Sequence, residues 1–205
     1  MNSKQSMVDL KYIERKNREP IKVVLFCGSS GAINVLENFL LNIEQGLKVA
    51  IVVLLHRKKG TQDYLVKYLN QKICVKVLPV EHGIQIEKGI IYIIPAGYHC
   101  IMEKNRTLSL DLSEKVMFSR PSADVSLESF SFNLKEQLIA IIVSGANADG
   151  ANGAKWVAKR NGKLIVQTPK EAFAKTMPSS VLEAVDRVDH IVPTNELYNT
   201  AAKYF

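Results

Sequence analysis

Three stretches of this chain are apolar along nearly their whole length: IKVVLF at residues 21–26, KVAIVVLL at 48–55 and LIAIIV at 138–143. None alternates apolar with polar side chains, as a strand with one wet face does, and each is too short for a buried helix. Between them the period changes. AINVLENFLLNI places Ile33, Leu36, Phe39, Leu40 and Ile43 at the spacing of one helix face. Strands buried on both faces and separated by helices belong in a parallel sheet with helices on either side. The expected class is α/β: a doubly wound, mostly parallel sheet with helices on both faces.

The remaining segments fit around that frame. TQDYLVKYLNQ reads as a second helix. CVKVLPV, GIIYIIP, HCIMEK and TLSLDL follow, punctuated by Gly83, Gly89, Pro95 with Gly97, and KNR. These read as a small antiparallel insert built of β-hairpins. Then βα order returns. SADVSLESFSFNL, DGANGAKWVAKR and MPSSVLEAV read as helices, GKLIVQ and HIVP as strands. TNELYNTAAKYF reads as the last helix, with Thr194 or Asn195 as its N-cap.

A chain of 205 residues can bury one sizeable core. Residues 1–20 are polar and charged and end in Pro20, so they read as a tail, with the domain at 21–205. No apolar run approaches the ~20 residues that cross a bilayer, and no apolar h-region opens the chain. A cytoplasmic protein is expected. Cys27, Cys74 and Cys100 are scattered and odd in number, which fits buried thiols in a reducing compartment and no metal cluster. The net charge of +7 admits nucleic acid, a membrane surface or an acidic protein as partner. Aromatics are only 7% and are not interleaved with the basic runs, so nucleic acid is set aside.

In parallel sheets, function collects at the C-terminal ends of the strands. The first strand runs into CGSSGA, the second into His56, and LIAIIV into SGANADG, which contains Asp149. A hydroxyl, an imidazole and a carboxylate at three strand ends are the inventory of an activated serine. Taken singly, each has a plainer reading. The Gly/Ser turn connects strand to helix, a strand-end histidine is structural, and NADG is a turn and helix start. Neither GxGxxG nor GxxxxGK[ST] is present for a nucleotide. Cys27 is the alternative thiol nucleophile; its position in the strand favours a small buried residue.

Five segments then carry a resemblance. Phe26-Cys27-Gly28-Ser29-Ser30-Gly31-Ala32 matches a strand ending I-G-A-S-T-G-G, and Leu55-His56-Arg57-Lys58 matches Q-H-M-P. Arg120-Pro121-Ser122-Ala123-Asp124 matches R-P-S-x-D, and residues 144–150, SGANADG, match T-G-M-G-x-D-G. Thr176-Met177-Pro178-Ser179 matches G-M-P-R. From about Ile21 to its C-terminus the chain resembles the catalytic domain of bacterial chemotaxis protein-glutamate methylesterases, the CheB family. The resemblance implies that Ser29 is the nucleophile, His56 the base and Asp149 its orienter. A literal GxSxG search favours Ser30, whereas alignment through VLENFL favours Ser29.

The family's oxyanion site implies backbone donors at Ser30 and at Ala146, where alanine stands in place of methionine. Cys27 and Ala32 replace two family glycines, which implies a turn with less backbone freedom. Arg57-Lys58-Lys59 replaces the Met-Pro side of the histidine loop. It reads equally as a solvated loop or as a basic rim that docks substrate. The implied reaction is hydrolysis of methyl-glutamate esters on the cytoplasmic helices of methylated chemoreceptors, with glutamine deamidation there left open. It needs no cofactor and no metal. The family's receiver domain has no counterpart in residues 1–20, so a freestanding catalytic domain is expected. His82 and His190 read as structural, and His99, which matches a family histidine near the site, receives no role; Arg120 and Asp124 read equally as braces of the active-site loops or as a plain helix entry. Two rival readings stand beside this one: an inactive binding or scaffold module, and an esterase for another ester.

Overall fold

The computed structural model describes residues 20–58 and 62–205. Seven strands form one sheet in the order β10-β9-β8-β1-β2-β5-β3, and every pairing in it is parallel. These strands are β1 (Val23–Gly28), β2 (Ala50–Leu55), β3 (Lys76–Pro79), β5 (Ile90–Ile93), β8 (Leu138–Ile142), β9 (Lys163–Gln167) and β10 (His190–Val192). The remaining three, β4 (Ile84–Gln85), β6 (His99–Met102) and β7 (Thr107–Asp111), form a small antiparallel sheet ordered β4-β7-β6.

Six helices cover the large sheet: α1 (Ala32–Leu41), α2 (Gln62–Lys72), α3 (Ala123–Leu134), α4 (Ala151–Lys159), α5 (Thr176–Ala184) and α6 (Leu197–Ala202). Strand residues alternate between two cores because successive side chains point to opposite faces. Val23, Leu25 and Cys27 pack with Leu127 and Phe130 of α3, Val157 of α4 and Val181 of α5. Val24 and Phe26 pack with Leu36 and Phe39 of α1, Leu69 of α2 and Leu197 of α6. All six residues of β1 are buried, as are all six of β2. That is why these segments show no polar alternation in the sequence.

The doubly wound sheet agrees with expectation, but the insert is smaller than the sequence implied. CVKVLPV and GIIYIIP supply β3 and β5, which join the parallel sheet. Only β4, β6 and β7 are antiparallel. Short apolar runs carry no signal that separates the two pairings. Ile33 is 47% exposed, so the buried stripe of α1 runs through Val35, Leu36, Phe39 and Leu40. The C-terminal helix begins as a 3-10 turn at Thr194–Glu196, and neither Thr194 nor Asn195 caps it with a side chain. The Thr194 hydroxyl instead accepts a 2.9 Å bond from Gln167 Nε2. Cys27 and Cys100 are buried as expected, but Cys74 is exposed. Of the polar tail, residues 1–19 lie outside the described residues.

Candidate active site

The chain passes from β1 to β2 on one side and later returns to β8 on the other, so the strand order reverses at β1. Ligand crevices in open α/β sheets form at such reversals, beyond the carboxyl ends of the strands. Strand register brings the three expected groups there. Gly28 pairs with Leu55, and the next residue, His56, donates its backbone N–H to Gly28 O at 3.1 Å. On the other side Ser29 donates its N–H to Ser144 O at 2.8 Å. Ser29 therefore lies between the loops that carry His56 and Asp149. Ser29 and His56 line the same cleft of about 340 Å³.

The turn after β1 keeps its freedom where it needs it. Gly31 has φ 80°, a left-handed conformation that alanine resists. Cys27 lies within the extended strand and Ala32 is the first residue of α1, so neither replacement falls on a left-handed position. Gly145 is held by packing. A Cβ there would lie 2.5 Å from Met177 Sδ and 3.1 Å from Ser29 Cβ. The absence of a side chain lets the 144–149 loop close over Ser29, with Met177 of α5 beneath it. Ser144 Oγ ties the same loop to the serine turn by donating to Ser30 O at 2.6 Å.

Asp149 is fully buried and has four donors. Its Oδ2 accepts from His56 Nε2 at 2.8 Å and from the Ala123 N–H at 2.6 Å. Its Oδ1 accepts from Ser122 Oγ at 2.7 Å and from the Asp124 N–H at 2.9 Å. Burial pushes the carboxyl pKa up, but the bonds from His56, Asp124, Ala123 and Ser122 outweigh it and hold the group below its ordinary value. An ionised carboxylate only accepts, so His56 carries its proton on Nε2 and leaves the Nδ1 lone pair free. Ser119 Oγ lies 3.4 Å from that Nδ1 and accepts from Asn147 Nδ2 at 3.2 Å. Among the described residues, Ser29 and His56 have no direct hydrogen bond.

Two amides close to Ser29 in the fold are unbonded. Among the described residues, neither the Ser30 N–H nor the Ala146 N–H donates to another protein group, and both residues are exposed. Arg57 and Lys58 line a second cavity of about 510 Å³ that also includes His56. Lys59 lies outside the described residues. Cys27 is fully buried, and burial, reinforced by the charges of Asp149 and Asp124, pushes its thiol pKa well up. It is no thiol nucleophile.

Sequence reasoning left His99 without a role and Arg120 and Asp124 open between bracing the site loops and a plain helix entry. His99 is buried; its Nδ1 accepts from the Ser122 N–H at 3.2 Å and its Nε2 donates to Glu114 O at 2.9 Å. It thereby fixes Ser122, which in turn bonds Asp149. Asp124 receives the N–H groups of Gly150 and Gly153 at 2.9 and 2.7 Å. Arg120 Nη1 donates to Leu112 O and Ser113 O at 2.6 and 2.7 Å, clasping the segment that leads to Ser119. The R-P-S-x-D match was the available signal for Arg120, Ser122 and Asp124. His82 and His190 serve elsewhere: His82 Nδ1 accepts from the Leu110 N–H, and His190 bonds the Tyr204 hydroxyl.

The chain is similar to known proteins along most of its length. The CheB methylesterase family model matches residues 24–200. A putative protein-glutamate methylesterase/protein-glutamine glutaminase of Leptospira interrogans is 32% identical over 169 residues, covering 82% of this chain and 87% of that one. The protein-glutamate methylesterase FrzG of Myxococcus xanthus is 28% identical over 165 residues, covering 80% of this chain and 49% of its own length. The crystal structure of the Thermotoga maritima CheB methylesterase catalytic domain superposes with a TM-score of 0.85 at 26% identity, covering 90% of this chain and 99% of that one. With a parallel sheet that brings Ser29 and His56 to one cleft and Asp149 against that histidine, and a family match along most of its length, the chain belongs to the CheB methylesterase family.

Proposed function

We propose that this protein is a serine hydrolase that removes methyl esters from glutamate side chains of chemoreceptors. The observation that carries the reading is the 2.8 Å His56–Asp149 pair, held by a buried four-donor carboxylate beside a cleft that Ser29 also lines. Ser29 Oγ attacks the ester carbonyl and its proton passes to His56 Nδ1, the nitrogen that Asp149 leaves free. The oxyanion is received by the Ser30 and Ala146 amides, near the N-terminus of α1, whose dipole favours negative charge. Collapse breaks the C–O bond to the methoxy group, and Nδ1 returns the proton to methanol. Water activated by the same base then frees glutamate and restores Ser29. Arg57 and Lys58 form a basic rim that draws in glutamate-rich receptor helices.

Ser119 is the rival hydroxyl, since its Oγ lies 3.4 Å from Nδ1. Ser29 is preferred because the unbonded Ser30 amide adjoins it and the Ala146 loop packs on it. No helix among the described residues is long and apolar enough to cross a membrane, and we place the protein in the cytoplasm, where the receptor helices are. The test is methanol release from methylated receptor membranes, together with fluorophosphonate labelling of Ser29. Release and labelling, both lost in Ser29→Ala, support the reading. Labelling without methanol release points to another ester. Neither signal points to an inactive binding module.

A further inference from the structure

The second cavity beside His56 does not belong to the serine side of the site. It is bounded by Arg57 and Lys58 after β2 and by Lys115, Ser119 and Arg120 of the segment between β7 and α3. Among the described residues, its lining carries four cationic side chains and no carboxylate. Among the described residues, its two guanidinium groups are also short of acceptors. Arg57 Nη2 donates to Ile94 O at 3.1 Å, but Arg57 Nε and Nη1 and Arg120 Nε are shielded from water with no partner. Buried donors without acceptors are destabilising, and more so when charged. Burial also lowers the Arg57 pKa, so its charge is held at some cost. A carboxylate admitted by a rotamer-scale shift of the two guanidinium groups would relieve each of these conditions. Its planar oxygens match the guanidinium fork.

Resting on the methylesterase reading, we propose that this cavity is a carboxylate subsite. It receives the free acidic side chain of a residue near the reactive glutamyl ester on the same substrate helix. His56 forms the wall shared by the two cavities, so ester and carboxylate sit on opposite sides of the base. On a helix, residues three or four positions apart have neighbouring side chains. The subsite therefore selects esters with an acidic neighbour one turn away. This differs from the steering role of the basic rim, because it depends on a paired position in the substrate and involves Lys115 and Arg120 from a different segment.

The experiment uses helical peptides carrying one reactive position and either Glu or Gln four residues away. Hydrolysis of the methyl ester gives kcat/KM for each peptide. Binding of the matching peptides with Gln at the reactive position, measured with the full-length Ser29→Ala protein, gives Kd without turnover. Both readouts are taken as Glu-to-Gln ratios within each variant, so general losses cancel. The wild-type ratio is expected on the order of tenfold at low salt, equivalent to about 1.4 kcal/mol. Lys115→Glu should bring it close to one. Lys76→Glu changes net charge equally, at the start of β3 on the opposite rim of the sheet, and should leave the ratio in place. A wild-type ratio near one, or equal effects of Lys115→Glu and Lys76→Glu, overturns the subsite. Retained binding preference without ester hydrolysis upholds the subsite and overturns the methylesterase reading.

Discussion

Asp149 and Asp124 each cap the helix that the other helps to begin. The Asp149 carboxylate accepts the first two N–H groups of α3, those of Ala123 and Asp124, and the Asp124 carboxylate accepts those of Gly150 and Gly153 at the start of α4. The helices pack closely enough for this because Gly153 has no side chain; a Cβ there would lie 2.6 Å from Leu127 Cβ. The His56 orienter is thus part of a structural joint. Asp149→Asn places an amide NH₂ among groups that all donate. It should lower kcat about 10⁴-fold, in line with loss of the correct histidine tautomer, and lower Tm as well. Asp124→Asn keeps an oxygen for both glycine amides and should stay within about tenfold of wild-type activity. Steady-state kinetics and thermal melts on both variants check the contrast; normal turnover by Asp149→Asn would remove His56 orientation from the account.

The same two carboxylates give opposite pH signatures. Asp149 is held below its ordinary 3.8, so its stabilisation is fully present above that pH and is lost as pH falls through its lower folded value. Asp124 is raised above 3.8, by burial first and by the Asp149 charge in addition, against the bonds from Gly153, Gly150 and Asn152. Its ionisation in the folded state withdraws stability as pH rises from 3.8 through the raised value. On acidification, the Tm advantage of wild type over Asp149→Asn should shrink below that pH. Wild-type Tm measured against Asp124→Asn should rise as pH approaches it from above. Reversed trends in melts between pH 3 and 7 would show that these carboxylates are not held as described.

Three serines compete for the role of nucleophile. Ser29→Ala should reduce turnover by up to a million-fold, as loss of a triad nucleophile can, with the fold intact. Ser30→Ala keeps its backbone amide and should lose much less. Ser119→Ala removes the hydroxyl that lies 3.4 Å from His56 Nδ1 and should remain within about tenfold of wild type. Mass spectrometry after fluorophosphonate treatment identifies the modified residue. Modification at Ser119 or Ser30 with an active Ser29→Ala protein would reassign the chemistry.

Gly145 offers a test of the loop that carries the second oxyanion donor. Alanine there meets Met177 on one side and Ser29 on the other. Overpacking of this kind costs about 1–3 kcal/mol, and here part of it should move the Ala146 amide away from the oxyanion. The expected result is a kcat loss of at least tenfold with an unchanged far-UV spectrum. A lower Tm with unchanged kcat would show that the loop yields without moving the donor.

Much of this architecture was legible because β1, β2 and β8 are buried on both faces and so are apolar at nearly every position. Their ends then pointed to the Ser29–Ser30 turn, His56 and Asp149, while the choice of Ser29 over Ser30 rested on the family resemblance. The insert was misread because β3 and β5 are short and apolar, and neither period nor length marks their partners. The joint between Asp149, Ser122, His99 and Asp124 was not legible as contacts. It joins residues 99–124 to 149–153, and no local pattern encodes a bond between segments so far apart. Thr194 shows the same limit on a smaller scale: capping chemistry was present, but Gln167 claimed the hydroxyl.

Because one carboxylate both seats the imidazole and closes the start of a helix, the protein has unequal routes to silence. Loss of the Ser29 hydroxyl or the His56 ring removes chemistry from groups that few structural bonds depend on. Loss of Asp149 strands the Ser122 hydroxyl and the first two amides of α3 along with the histidine. A descendant of this fold that gave up catalysis to serve only as a binding platform should therefore keep its aspartate and discard its serine or histidine.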